Sequence, residues 1–302
     1  MRSLFCRSLL AFASRRDLVF LTGDLGFQAF EGLADVLGPR FINAGIAEQN
    51  MISVAAGLAH CGMRPWTYSI APFIYARAFE QIRNDVCFHN LPVVLVGNGG
   101  GYGYGVMGPT HHGLEDYGSL LSLPHLEAYV PAFDEDIPIV VKKLFNSNGP
   151  AYLRLGTAEP PTGWRPPTFG PWRKLLDGAG ATLIVIGPLA GGIVAAAREL
   201  PDELRPRMWL LSQLPCERLP TALVSDITAS QNLLVVEEHT AWGGAGRMLG
   251  ELLLTSGLAP CRFLVRNSQG YPSGRYGSQQ FHRQESRLDP ASIIDDLIRG
   301  LA

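Results

Sequence analysis

An excess of charge of one sign is the first thing this sequence lacks. Lysine and arginine number 25 and aspartate and glutamate 27 in 302 residues, a formal charge of −2. Without a basic excess there is no electrostatic footprint for nucleic acid. Long apolar runs are missing as well. Stretches such as Leu91–Val96 and Leu183–Ile186 fall far short of the ~20 residues that cross a bilayer, so no membrane-spanning helix is expected. Cysteine is sparse: Cys6, Cys61, Cys87, Cys216 and Cys261 are scattered with no CxxC spacing. An odd, dispersed set argues against a disulfide frame or a zinc site and for reduced thiols in a cytoplasmic chain. Lysine is nearly absent, with Lys142, Lys143 and Lys174 against 22 arginines, which reads as GC-rich coding. What is present is apolar: 47% of the residues are hydrophobic and 17% charged. Such a chain buries a real core, and its length suits about two domains.

The N-terminal MRSLFCRSLLAFASRR is rich in Arg and Ser and has no acid, a composition shared with transit peptides. Leu4, Leu9, Leu10 and Phe12 instead predict a short amphipathic helix, and Arg7 interrupts any secretory apolar stretch. From there short apolar runs predict strands at Leu18–Leu21, Phe41–Ala44, Trp66–Ile70, Pro92–Val96, Leu126–Val130 and Tyr152–Leu155. Helix-period segments lie between several of them, at Ala47–Ala59, Phe73–Phe88 and Glu135–Phe145. Strands separated by helices imply βαβ units and a mostly parallel sheet. A Pro-rich stretch over 157–173 reads as a linker. A second alternation follows, with strands at Thr182–Ile186, Met208–Leu211, Leu233–Val236 and Arg262–Val265 and helices at Gly191–Leu200, Gly246–Leu254 and Ala291–Leu301. The expectation is an α/β chain of two domains, 1–156 and 174–302, each a mostly parallel sheet flanked by helices.

Four features carry chemistry. Gly97–Gly108, GNGGGYGYGVMG, contains GxGxxG literally. A dinucleotide loop needs a helix opening inside the motif and an acid ~20 residues on; Pro109, Thr110, His111 and His112 follow instead. The NAD reading is rejected, and a flexible loop at a strand's carboxyl end remains. Glu48 opens a helix that is otherwise small and apolar. Alone it is an acid matched to the helix dipole, or else a buried carboxyl sharing a proton with a ligand nitrogen. THHGLED, Thr110–Asp116, has no metal spacing, so it offers either a solvated turn or one neutral imidazole in a site. Phe73, Ile74, Tyr75 and Phe79 at a helix start are core, or one of them stacks on a heteroaromatic ring.

Their order says more than any one of them. GIAEQN at Gly45–Asn50, APFIYARAFEQIRNDV at Ala71–Val86 and GPTHH at Gly108–His112 together resemble the C-terminal half of transketolase and of 1-deoxyxylulose-5-phosphate synthase. TGDLG at Thr22–Gly26 looks like the opening of their pyrimidine-binding domain. VVEEHTAWGGAG at Val235–Gly246 is similar to their C-terminal domain and to the β chains of 2-oxo acid dehydrogenases. The resemblance implies a thiamine-diphosphate-binding fold and that cofactor. It implies that Glu48 holds N1′ of the pyrimidine and favours the imino tautomer, in an apolar helix environment that keeps the carboxyl partly protonated. Phe73 is then the stacking aromatic, with Ile74 and Tyr75 as alternatives. His111 faces substrate, Asp24, Ile46 and Arg77 are further cofactor contacts, and Glu48 and His111 are the catalytic pair.

The family's diphosphate end and Mg²⁺ are held by a GDG motif followed by an Asn, and this chain has no GDG. No metal ligand is therefore expected here. The resemblance implies the β subunit of a split transketolase-type transferase that moves a two-carbon ketol or acyl unit between carbonyl compounds. An α subunit, as α2β2, would carry the diphosphate–Mg²⁺ site. A decarboxylating subunit like deoxyxylulose-phosphate synthase or a 2-oxo acid dehydrogenase β chain is the alternative, and a non-catalytic stabilising subunit another. Two departures bear on substrate. Met107 stands where the family places an Asp on a hydroxyl of the acceptor. Arg154 lies too early to be the arginine of the acceptor phosphate, and Thr157, Ala158 and Glu159 occupy that position.

Overall fold

The computed structural model describes residues 1–26, 28–157 and 160–300; Ala158, Glu159 and Leu301, named above, lie outside them. Twelve strands form among the described residues. The first six are β1 (Leu18–Thr22), β2 (Phe41–Asn43), β3 (Arg64–Ile70), β4 (Val94–Asn98), β5 (Glu127–Tyr129) and β6 (Ala151–Leu155). The others are β7 (Trp172–Leu176), β8 (Thr182–Ile186), β9 (Arg207–Leu211), β10 (Gln213–Leu214), β11 (Asn232–Glu237) and β12 (Arg262–Arg266).

One sheet runs β10-β5-β6-β4-β3-β1-β2 and the other β12-β11-β8-β9-β7. Both are parallel except at one edge each, where β10 pairs antiparallel with β5 and β7 with β9. Every residue of β1, β6 and β8 is buried, the pattern of parallel strands covered on both faces. Helix Glu48–His60 turns Met51, Ile52, Ala55, Ala56 and Ala59 onto the first sheet, the 3.6-period stripe of a half-buried helix. The N-terminal helix Arg2–Leu10 belongs to this core. Phe5 and Leu9 are fully buried, and the Phe5 ring lies 5.8 Å from Trp66.

The two halves share one continuous core, in which Leu126 and Tyr152 pack in the same cluster as Ile184, Trp209 and Val235. A buried ion pair reinforces the junction: Arg173 on β7 meets Asp136 at 2.7 Å. Asp136 also accepts the backbone N–H groups of Ala132 and Phe133 at the start of helix Asp136–Phe145.

Strands β7 and β10 and the helix Thr221–Ser230 escape the reading of the sequence. The expected single helix over Phe73–Phe88 is wound wide. Phe73–Arg77 and Ile82–Cys87 are π turns on either side of a short α segment, Phe79–Gln81. The last helix is α over Pro290–Asp295 and widens over Asp296–Gly300.

Candidate functional site

In the first sheet the chain runs from β1 to its neighbour β2 and then returns to the other side of β1 as β3. Open parallel sheets bind ligands outside the strand carboxyl ends at such a reversal. Glu48, the first residue of its helix, sits there with only 1% of its surface exposed. The Ser69 hydroxyl, near the end of β3, donates to its Oε1 at 3.0 Å. Arg77 donates to its Oε2 at 2.7 Å. A Cβ on Gly23, just past β1, would lie 3.3 Å from Oε1; glycine lets the carboxylate approach the backbone.

This corrects the expected surroundings. The carboxyl group is buried, but it meets a hydroxyl and a guanidinium rather than an apolar helix environment. Such partners compensate the hydration that a buried carboxyl group loses.

The wide turn brings the other residues in. Arg77 lies over the Phe73 ring, 4.5 Å from its centroid, a cation–π contact. Phe73 is half-buried and meets the His111 ring edge-on at 5.2 Å. The two alternatives for the stacking aromatic point elsewhere: Ile74 is fully buried, and the Tyr75 hydroxyl donates to Glu115 at 2.9 Å. His111 lies also beside Tyr104, at 5.8 Å, and its Nδ1 is 2.8 Å from the Thr110 hydroxyl. Glu48, Arg77, Phe73 and His111 therefore form one chain of contacts.

Asp24 and Ile46 stay at the rim. Asp24, at φ 56°, exchanges two hydrogen bonds with Asn43, and Ile46 is 81% exposed. Arg154 is structural. It is buried, 2.9 Å from Asp116, and donates to the carbonyls of Gly113 and Glu238. Met107 is 52% exposed on the turn Gly105–Thr110. Among the described residues no group of three His, Cys, Asp or Glu is placed to hold a metal. A cavity of about 820 Å³, lined in part by Arg198, Glu199, Arg283 and Asp289, shares no lining residue with the Glu48–His111 chain.

Residues 11–161 match the family described as transketolase, pyrimidine binding domain. Over 264 residues the chain is 31% identical to an apulose-4-phosphate transketolase subunit from Actinobacillus succinogenes, spanning 85% of this chain and 83% of that one. The chain belongs to the transketolase family. It is also 32% identical, over 223 residues, to 1-deoxy-D-xylulose-5-phosphate synthase of Nitratidesulfovibrio vulgaris, of which it spans 34%. Among solved structures, a split-gene transketolase described as an inactive beta4 tetramer superposes with a TM-score of 0.84 at 27% identity. That match spans 99% of this chain and 97% of the other. The transketolase of Campylobacter jejuni shares the fold at a TM-score of 0.77 and 16% identity, with 46% of its length covered.

For a transketolase-family chain the remaining motifs have structural work. The Glu237 carboxylate accepts from the N–H groups of Ala245 and Gly246, capping the helix Ala245–Thr255. Burial raises its pKa. Glu238 is held by Arg283 at 2.6 Å. Reading the sequence missed Ser69, Gly23 and Tyr104 at the site. Ser69 is one alternating residue in a strand, so only the fold places it opposite Glu48.

Proposed function

We propose that this chain is the β-type subunit of a split, thiamine-diphosphate-dependent transketolase. The enzyme transfers a two-carbon ketol unit between carbonyl compounds. The observation that carries the reading is the buried Glu48 at the sheet's switch point, with Phe73 and His111 in line beside it. These residues fit the aminopyrimidine end of the cofactor: a sequestered carboxyl for a ring nitrogen and a half-buried aromatic face for stacking. The sequence carries no GDG motif for the diphosphate–Mg²⁺ end, and in this reading a partner chain bearing that motif supplies the site, in an α2β2 assembly. One relative is named as a subunit of its transketolase, and another, a β chain assembled only with itself, is described as inactive. Both support the need for such a partner.

When bound, the cofactor supplies a nucleophilic carbon that carries the transferred unit. The chain's own residues bind and orient. Glu48 hydrogen-bonds the pyrimidine and holds a proton at its ring nitrogen. Phe73 packs on that ring, and His111 faces the substrate oxygen as a donor or acceptor. Asp24 and Ile46 line the rim, and Arg77 holds Glu48 in place. We place the enzyme in the cytoplasm, in keeping with five free cysteines.

Co-expression with the GDG-bearing partner, followed by calorimetry, tests the reading. The complex binds thiamine diphosphate with Mg²⁺ and turns over, and the isolated chain binds it negligibly. Tight Mg²⁺-dependent binding by the isolated chain overturns the proposal.

A further inference from the structure

The Gly-rich loop after β4 is gripped by the second half of the chain. Tyr102 is fully buried. Its N–H donates to Glu238 at 2.8 Å, and its hydroxyl meets Gly270 O and Ser286 Oγ, each at 2.9 Å. Ten residues on, His112 is buried too. Its Nε2 lies 2.8 Å from the carbonyl oxygen of Gly105. A carbonyl only accepts, so Nε2 carries the proton. Nδ1 then offers a lone pair, and the Tyr271 hydroxyl donates to it at 2.8 Å.

Tyr271 sits between β12 and the helix Gln279–Glu285. The same segment crosses the turn Gly105–Thr110 at two more points. Gly105, at φ 48°, comes so close to the Gly277 carbonyl that a Cβ would lie 3.1 Å from it. The Tyr276 ring lies against Gly108, 3.3 Å from where a Cβ would stand. The turn is thus closed at its base by His112 and held from the other half of the molecule. Half-buried His111 follows the turn directly, and its backbone N–H donates to Gly108 O at 3.0 Å.

We propose that His112 and Tyr271 are positioning residues, through which the C-terminal half fixes His111 beside Phe73 and Glu48. The inference rests on the reading of His111 as the residue that faces substrate. It differs from simple adhesion between the halves, for which Tyr102–Glu238 and Arg173–Asp136 already provide. The Tyr271–His112 bond reaches only the turn. Burial holds the His112 pKa below its ordinary value, so at neutral pH the imidazole keeps the one tautomer that serves both partners. Around it stand the rings of Tyr102, Tyr271 and His282 and the charge of Glu238.

The test uses Tyr271→Phe and His112→Phe, singly and together, in the co-expressed enzyme. Thermal melts and histidine-labelled NMR of the full chain accompany them. One lost hydrogen bond and a displaced His111 lower kcat about five- to tenfold, with KM for the donor nearly unchanged. Tyr271→Phe retains the cooperative melt. Its His112 titrates at higher pH, because the donor that favours the neutral ring is gone, and its His111 resonances shift. The double variant is no slower than His112→Phe alone. The proposal is overturned if Tyr271→Phe leaves kcat and the His111 resonances unchanged, or if the two losses multiply. Should the wild-type complex show no transketolase activity, the reading of function fails, and the His111 resonances still decide whether the clamp positions that residue.

Discussion

Glu48 is a residue whose neighbours decide its use. With Ser69 on one oxygen and Arg77 on the other, Glu48→Gln keeps the size and a hydrogen-bonding oxygen but removes the proton equilibrium. Turnover of the assembled enzyme falls about 10²–10⁴-fold, while association and melting stay near wild type. Steady-state kinetics on the co-purified complex decide it, and unchanged turnover removes Glu48 from the chemistry. Met107 argues about substrate in the same way. A half-exposed thioether beside His111's turn accepts no strong hydrogen bond and favours apolar contact. Arg154 is committed to Asp116, so it is not free for an acceptor phosphate. In competition assays ribose 5-phosphate and glyceraldehyde 3-phosphate are poor acceptors beside an unphosphorylated or deoxygenated aldehyde. If both sugar phosphates reach kcat/KM of ~10⁴ M⁻¹s⁻¹, Met107 is a tolerated variation.

Among the elements, β4 carries one residue before its end a glycine that its neighbour requires. A Cβ on Gly97 would stand 2.3 Å from the Tyr152 hydroxyl. Tyr152 is fully buried and bonded to Asp116, so it has nowhere to go. Gly97→Ala destabilises by about 1–3 kcal/mol, read by denaturant unfolding. Gly57→Ala, on the exposed side of helix Glu48–His60 with open space around it, stabilises by about 0.5–1 kcal/mol and serves as the control. The same contrast explains what was legible in the sequence. Strands such as β4 and β8 and the helix after Glu48 announce themselves by apolar period. Strand β10 is two residues long and exists only because β5 offers an edge. The π turns of Phe73–Arg77 leave no periodic trace, yet they place Phe73, rather than Ile74 or Tyr75, against His111. Glu48 was visible from its motif. Its guanidinium partner lies 29 residues away, and only the packed sheet brings it there.

At the scale of the whole molecule, buried polar groups between the halves set the response to acid. His239 is fully buried, and its Nε2 accepts the Gly118 N–H at 3.1 Å. Burial, with a smaller push from Arg154 against the pull of Asp116, lowers its pKa to about 4. A base whose folded pKa lies below its unfolded value of ~6.5 adds stability above that value and loses it as pH falls toward 4. The loss is on the order of 3 kcal/mol. Glu238 is pushed up by burial but held below the ordinary carboxylate range by Arg283 and Gln279, so its contribution is lost at still lower pH. Melting temperature therefore falls between pH 6.5 and 4, and a His239→Gln chain shows a flatter profile over that window. An unchanged slope refutes the assignment. The antiparallel pairing of Gln213–Leu214 with Ala128–Tyr129 has a bearing on how such an enzyme can be divided. Severing the chain between β6 and β7 would strip the edge from β5 and leave Arg154 without the Glu238 carbonyl. Naked edges template self-association. A gene break at that point would leave two fragments with these contacts open until they reassociate, so the pairing favours keeping the two halves on one chain.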